Sequence, residues 1–145
     1  MLKGSLAEVF LDTDVAFDII SKRKPHYENS IQLLQLVADD RIALLIAECS
    51  LANLIYLSME IYKLPDSESR LQNFISACEI ISGGKATMIK AISSPFADKE
   101  DALQYYIALD YGADYFITRN IRDYKNQSKM LSVLTPSEFI QSLSK

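Results

Sequence analysis

Asp12 follows three strand-forming apolar residues, Val9-Phe10-Leu11. Such a run suits an interior strand of a parallel sheet, and a carboxylate at its C-terminal end lies on the edge where open α/β sheets take ligands. Acids recur far along the chain, at Asp98, Glu100 and Asp101 and again at Asp123, shortly after Tyr115-Phe116-Ile117-Thr118. Carboxylates brought together resist ionising together unless a cation sits among them. Oxygen-only donor sets suit Mg²⁺ or Mn²⁺, ions that activate water and stabilise a leaving oxygen in phosphodiester cleavage. Each group also has a plainer reading. Asp12 reads as a turn residue, and the Asp98–Asp101 group as acids at the positive end of a helix.

Bringing these acids together requires strands and helices that alternate. After the first strand, Thr13 or Asp14 is expected to cap a short helix from Val15, ended by Ser21-Lys22-Arg23-Lys24-Pro25. A second helix is expected from Tyr27 to Ala38, and a buried strand over Ile42–Ile46. Ser50 reads as the cap of a third helix from Leu51 to Tyr62, stopped by Leu64-Pro65. Further helices are expected over Asp66–Ala77, Lys85–Ser93 and Lys99–Tyr111, the last stopped by Gly112. Cys78–Ile81, Tyr115–Thr118 and Leu131–Leu134 read as strands, and Thr135-Pro136 opens a terminal helix. This order implies a parallel sheet covered on both faces, in which strand C-termini and following helix N-termini share one edge. Asp12, Asp101 and Asp123 would then meet on that edge.

At 145 residues and 49% hydrophobic content, a single folded domain over 1–145 is expected. The first residues lack the apolar core of a signal peptide, and no apolar run reaches membrane-helix length. Cys49 and Cys78 lack metal-type spacing and read as buried free thiols, in keeping with a cytoplasmic setting. The net charge of −4 excludes a generally basic surface but leaves room for a local basic patch or metal-assisted contact with nucleic acid.

Four short stretches in order, Leu11-Asp12-Thr13-Asp14-Val15, Ser50-Leu51-Ala52-Asn53, Glu100-Asp101-Ala102-Leu103-Gln104 and Ile117-Thr118-Arg119-Asn120-Ile121-Arg122-Asp123-Tyr124, resemble the successive motifs of PIN domains. Their order and spacing cover nearly the whole chain, and they are most similar to single-domain prokaryotic PIN proteins, including VapC-type toxins of toxin–antitoxin pairs. The resemblance implies a three-layer α/β/α fold with a five-stranded parallel sheet of order 3-2-1-4-5. It also implies an endoribonuclease site dependent on Mg²⁺ or Mn²⁺. On this basis Asp12, Asp101 and Asp123 are the expected metal-binding and catalytic acids. Thr118 and Asn120 would shape the turn that carries Asp123, and Asp14 would help place Asp12 or contact substrate. The family usually has Glu on the third helix where this chain has Asn53, an uncharged oxygen donor that would weaken metal binding; Glu48 is expected to precede that helix. The family also implies an RNA substrate, a small antitoxin partner and a homodimer.

Arg119 and Arg122 flank the proposed acids and are candidate phosphate contacts, whereas Lys22-Arg23-Lys24 and His26 read as a solvated helix exit. Tyr105, Tyr106, Tyr111, Tyr115 and Phe116 fit core packing better than base stacking. Gly83-Gly84 reads as a turn, without the surrounding P-loop pattern. Two other functions compete with the nuclease: a PIN fold of weak or no activity that binds RNA or protein, motivated by Asn53, and a phosphatase on a doubly wound fold with a nucleophilic aspartate after its first strand.

Overall fold

The computed structural model describes residues 6–124 and 131–144. Its strands are β1 (Ala7–Leu11), β2 (Ile42–Ala47), β3 (Cys78–Ile81), β4 (Tyr115–Ile117) and β5 (Ser132–Leu134). Its α-helices are α1 (Thr13–Ser21), α2 (Tyr27–Ala38), α3 (Glu48–Tyr56), α4 (Ser67–Ser76), α5 (Gly84–Ser93), α6 (Lys99–Tyr111) and α7 (Pro136–Ser142). The strands form one parallel sheet in the order β3-β2-β1-β4-β5.

Val9, Phe10 and Leu11 are fully buried because successive side chains of β1 enter different layers. Val9 and Leu11 join a core with residues of α1, α2, α3, α4 and α7. Phe10 joins Leu45, Phe116 and residues of α5 and α6 on the other side. Together the two cores make a three-layer α/β/α fold. Phe10 stacks on Phe116 at 5.2 Å, and the aromatic packing continues through Tyr105, Phe96 and Tyr124. Of the aromatics assigned to the core from sequence, Tyr105 and Phe116 are fully buried. Tyr106 and Tyr115 are half-buried. Tyr111 is 45% exposed instead, and its hydroxyl donates to Glu8 Oε2 at 3.2 Å.

Several boundaries differ from expectation for identifiable reasons. Helix α1 starts at Thr13 rather than Val15, because Asp12 itself takes the N-cap position and its carbonyl accepts from Ala16 N–H at 3.1 Å. The Asp12 side chain makes no capping bond, since Thr118 engages it. Helix α3 starts at Glu48, so Glu48 lies within it and Ser50 is no cap; extended Ala47 provides the break. After Tyr56 the same helix widens into a π-helical turn over Leu57–Ile61. Gly112 stops α6 in the left-handed conformation, at φ 91°. Thr135 opens α7 with a capping box: its Oγ1 accepts from Glu138 N–H at 3.1 Å, while Glu138 Oε1 accepts from Thr135 N–H at 2.9 Å. Cys49 is exposed rather than buried and Cys78 is half-buried; both are free. Among the described residues no helix is long and apolar enough to cross a membrane.

Candidate active site

Strands β1 and β4 run side by side with Leu11 opposite Ile117. The next residues of each, Asp12 and Thr118, therefore emerge together at the C-terminal edge. Asp12 N–H donates to the Ile117 carbonyl at 2.9 Å, and Thr118 Oγ1 donates to Asp12 Oδ2 at 2.7 Å. Thr118 Oγ1 also accepts from Asn120 N–H at 3.1 Å. One fully buried hydroxyl thus ties the Asp12 carboxyl to the start of the turn that leads to Asp123. Asp12 is 6% exposed, and burial raises its pKa against the opposing pull of the Thr118 bond; the Asp14 charge raises it further.

Helix α6 delivers Asp101 to the same edge. Asp98 caps this helix, its Oδ1 accepting from the amides of Glu100 and Asp101 at 2.9 and 3.0 Å, so Asp98 is committed to the helix end. Asp101 is half-buried, and its pKa is pushed up to about 6, first by burial and then by the charges of Asp12, Asp98 and Asp123. Tyr124 is 1% exposed and lies among the same acids. Its hydroxyl makes no well-formed hydrogen bond among the described residues, yet it sits close enough to Asp101 to draw that carboxyl's pKa down. Burial, and then the Asp12 and Asp101 charges, push the phenol's own pKa up.

These couplings decide whether the donors fit a hard divalent cation. Asp101 feels the charges of Asp12 and Asp123, and among the described residues none of the three carboxylates forms an ion pair with Lys or Arg. Among those residues, however, no three Asp, Glu, His or Cys side chains come close enough to form a finished ligand cage. The donor set is nevertheless oxygen-only and unneutralised among the described residues, the chemistry that suits Mg²⁺ or Mn²⁺.

The other residues singled out from sequence are placed as follows. Asn53 is exposed on α3 and its Nδ2 donates to Glu100 Oε1 at 3.1 Å, so its amide is used to join α3 to α6. Glu48 is exposed in the first turn of α3 and lines a groove with Met88 and Ile89 of α5. Asp14 is exposed in the first turn of α1, near enough to Asp12 to raise its pKa. Arg122 is exposed and shares an open cleft with Arg119, Asn120 and Asp123. Arg119 is more constrained: its Nε lies 2.9 Å from Oδ2 of fully buried Asp18, whose Oδ1 takes Arg23 Nη2 at 2.9 Å. Lys22 and Lys24 stay exposed, but Arg23 is anchored rather than a free part of a solvated exit.

Three residues of this region have no role in the sequence reading above. Tyr124 and Asp18 are the first two. Gln104, one turn after Asp101 on α6, is 5% exposed, and its Oε1 accepts from Thr13 N–H at 3.0 Å. A signal existed for Gln104: a polar side chain three and four residues before apolar Ile107 and Ala108, which are buried on the same helix. Asp18 had one too, as a carboxylate between Phe17 and Ile19 in a helix buried on nearly every side.

Comparison with known proteins agrees with this architecture. The chain is 29% identical over 139 residues to "Ribonuclease VapC1" of Aquifex aeolicus, an alignment covering 92% of this chain and 94% of that protein. Among solved structures it resembles VapBC2 from Rickettsia felis bound to a promoter DNA fragment (TM-score 0.64, 23% identity, 87% of this chain and 96% of that one). It also resembles DNA-bound VapBC from Salmonella typhimurium (TM-score 0.65, 20% identity, 90% and 99%). Mycobacterium tuberculosis VapC20, a toxin that cleaves the sarcin-ricin loop, gives a TM-score of 0.58 at 10% identity over 74% and 86%. The PIN domain family model matches residues 8–122, from the start of β1 to the turn before Asp123, and the chain belongs to the PIN domain family.

Proposed function

We propose that this protein is a divalent-metal-dependent endoribonuclease and the toxin of a type II toxin–antitoxin pair. The observation that carries the reading is a half-buried Asp101 that feels the charges of Asp12 and Asp123 at one sheet edge, with no cationic side chain paired to the three among the described residues. Similarity to a VapC ribonuclease along almost the full chain supports the substrate class.

Asp12, Asp101 and Asp123 would hold Mg²⁺ or Mn²⁺, which supplies water activation and stabilisation of the leaving oxygen. Thr118 fixes the Asp12 carboxyl through its 2.7 Å bond and, through Asn120 N–H, sets the start of the Asp123 turn. Arg122, exposed in a cleft it lines with Asp123, would take an RNA phosphate. Arg119 is the lesser contact, because Asp18 already neutralises much of its charge. In the reaction, a water oxygen joins phosphorus as the bond to the 3′ oxygen breaks, leaving a 5′-phosphate and a 3′-hydroxyl. Titration of Mn²⁺ into the protein, paired with cleavage of single-stranded and structured RNA, tests this. Metal binding with cleavage is expected, and absence of both at millimolar metal would overturn it.

One observation favours a second reading, a PIN protein of weak activity that acts by binding. Asn53 is uncharged and already bonded to Glu100, so α3 contributes no carboxylate at the position where the family usually has Glu. RNA retention with no cleavage across a range of metals would favour it. Neighbours solved as VapBC assemblies support a small antitoxin partner. Exposed Ile55, Tyr56, Met59, Ile61 and Tyr62 on α3 and its π-turn offer apolar surface for that partner or for a second copy of the chain. Light scattering of the isolated protein distinguishes monomer from dimer.

A further inference from the structure

Asp12 and Asp101 belong to different elements, and something must hold them in register. A single side chain does so. Oε1 of Gln104 on α6 accepts from Thr13 N–H at 3.0 Å, from Thr13 Oγ1 at 3.1 Å and from Ser50 Oγ at 3.3 Å. Thr13 Oγ1 also lies 3.0 Å from Ser50 Oγ; its single proton serves either that oxygen or Gln104 Oε1, and the three side chains close a triangle among α1, α3 and α6. Gln104 is 5% exposed and Ser50 is 2% exposed, so water has little access to these bonds.

The chemistry fixes which way the amide points. A backbone N–H only donates, so the atom facing Thr13 must be the Gln104 oxygen. Gln104 therefore grips the residue next to Asp12 by its main chain as well as by its side chain. Gln104 also follows Asp101 by three residues on α6, so the two project from one face of the helix.

We propose that Gln104 is a positioning residue for the metal site, its amide setting the spacing and orientation of Asp12 relative to Asp101 by locking the first turn of α1 onto α6. The proposal rests on the nuclease reading above, because it takes Asp12 and Asp101 as metal ligands. Thr118 restrains Asp12 from β4, and Gln104 restrains it from α6, the element that carries its partner acid. Supports of this kind orient metal ligands, and their loss costs about 10–100-fold in affinity.

The experiment compares Mn²⁺ binding by isothermal titration in the wild-type protein, Gln104→Met, Gln104→Asn and Ser50→Ala, with thermal melts of each. Gln104→Met keeps the length and removes both polar atoms. Gln104→Asn keeps an amide that folding can satisfy but stops one methylene short. Both are expected to bind Mn²⁺ about 10-fold more weakly, with kcat for RNA reduced and KM little changed. Ser50→Ala removes one bond to the same amide oxygen and is expected to lower the melting temperature while leaving Mn²⁺ affinity within about twofold, since the bond from Thr13 N–H to Gln104 remains. A purely structural Gln104 predicts affinity that follows melting temperature across all variants, or wild-type affinity in a folded Gln104→Asn; either result overturns the proposal. Absence of Mn²⁺ binding in the wild-type protein overturns the nuclease reading, and the positioning role with it.

Discussion

Two aspartates of α1, one at its N-cap and one in its interior, are buried in opposite ways. Asp18 is fully buried and receives two guanidinium groups, Arg23 at 2.9 Å and Arg119 at 2.9 Å. Asp12, six residues earlier and nearly as buried, receives a neutral hydroxyl at 2.7 Å and faces other acids. Burying a carboxylate is costly unless it is paired. At Asp18 the chain supplies the pairing itself, and the result is a clamp joining the end of α1 to the loop after β4. At Asp12 it supplies a hydroxyl but, among the described residues, no cation. Within one helix, then, one carboxylate is paired within the protein, and the other is the one the proposed nuclease reading assigns to a cation.

The contrast breaks first if Asp12 is dispensable. Asp12→Asn is expected to reduce RNA cleavage by at least about 10²–10³-fold while circular dichroism shows an intact fold. Unchanged turnover would remove Asp12 from the chemistry. The opposite outcome is expected at the clamp. Asp18→Ala leaves two arginines beside an apolar core and is expected to cost about 2–4 kcal/mol in urea unfolding, somewhat less than a fully buried pair because both guanidiniums reach solvent. Cleavage per folded molecule should change far less than for Asp12→Asn.

A subtler expectation concerns pH in the absence of metal. The Asp101 pKa is raised from 3.8 to about 6, so the folded state holds a proton more tightly than the unfolded state. Its contribution is fully present below pH 3.8 and is lost as pH rises through about 6. Without metal, the wild-type protein should therefore lose on the order of 1–3 kcal/mol of Asp101-linked stability between pH 4 and pH 7. Asp101→Asn should flatten this slope, and Mn²⁺ should reverse it. A pH-independent melting temperature in metal-free wild-type protein would show that the acids are not crowded. The smallest effect is expected at Asn53. Asn53→Glu restores a carboxylate on α3 and should tighten Mn²⁺ binding by up to about 10-fold, read by titration. A weaker effect would mean that the Glu100 contact holds position 53 away from the site.

Much of the fold was legible because its signals are local. The β1 run stops at Asp12, Gly112 ends α6 where a left-handed residue is needed, and Thr135-Pro136 opens α7 with its capping box. Boundaries were misjudged where a side chain that usually caps a helix was engaged elsewhere. Ser50 bonds across to α1 and α6 from inside α3. Asp12 sits at the N-cap position while its carboxyl turns to Thr118. Tyr111 has the phasing of a core residue yet lies exposed beside Glu8.

The sequence by itself determined the parallel α/β order, the edge on which Asp12 emerges and the acids that could join it, because hydrophobic period and turn chemistry act between near neighbours along the chain. Only the tertiary structure decided which polar residues support those acids and which arginines remain available to a substrate. Thr118, Gln104 and Tyr124 reach Asp12 and Asp101 from separate elements, and Asp18 captures Arg119 across about a hundred residues of chain. Such pairings depend on strand register and helix docking, and no spacing within the chain encodes them directly.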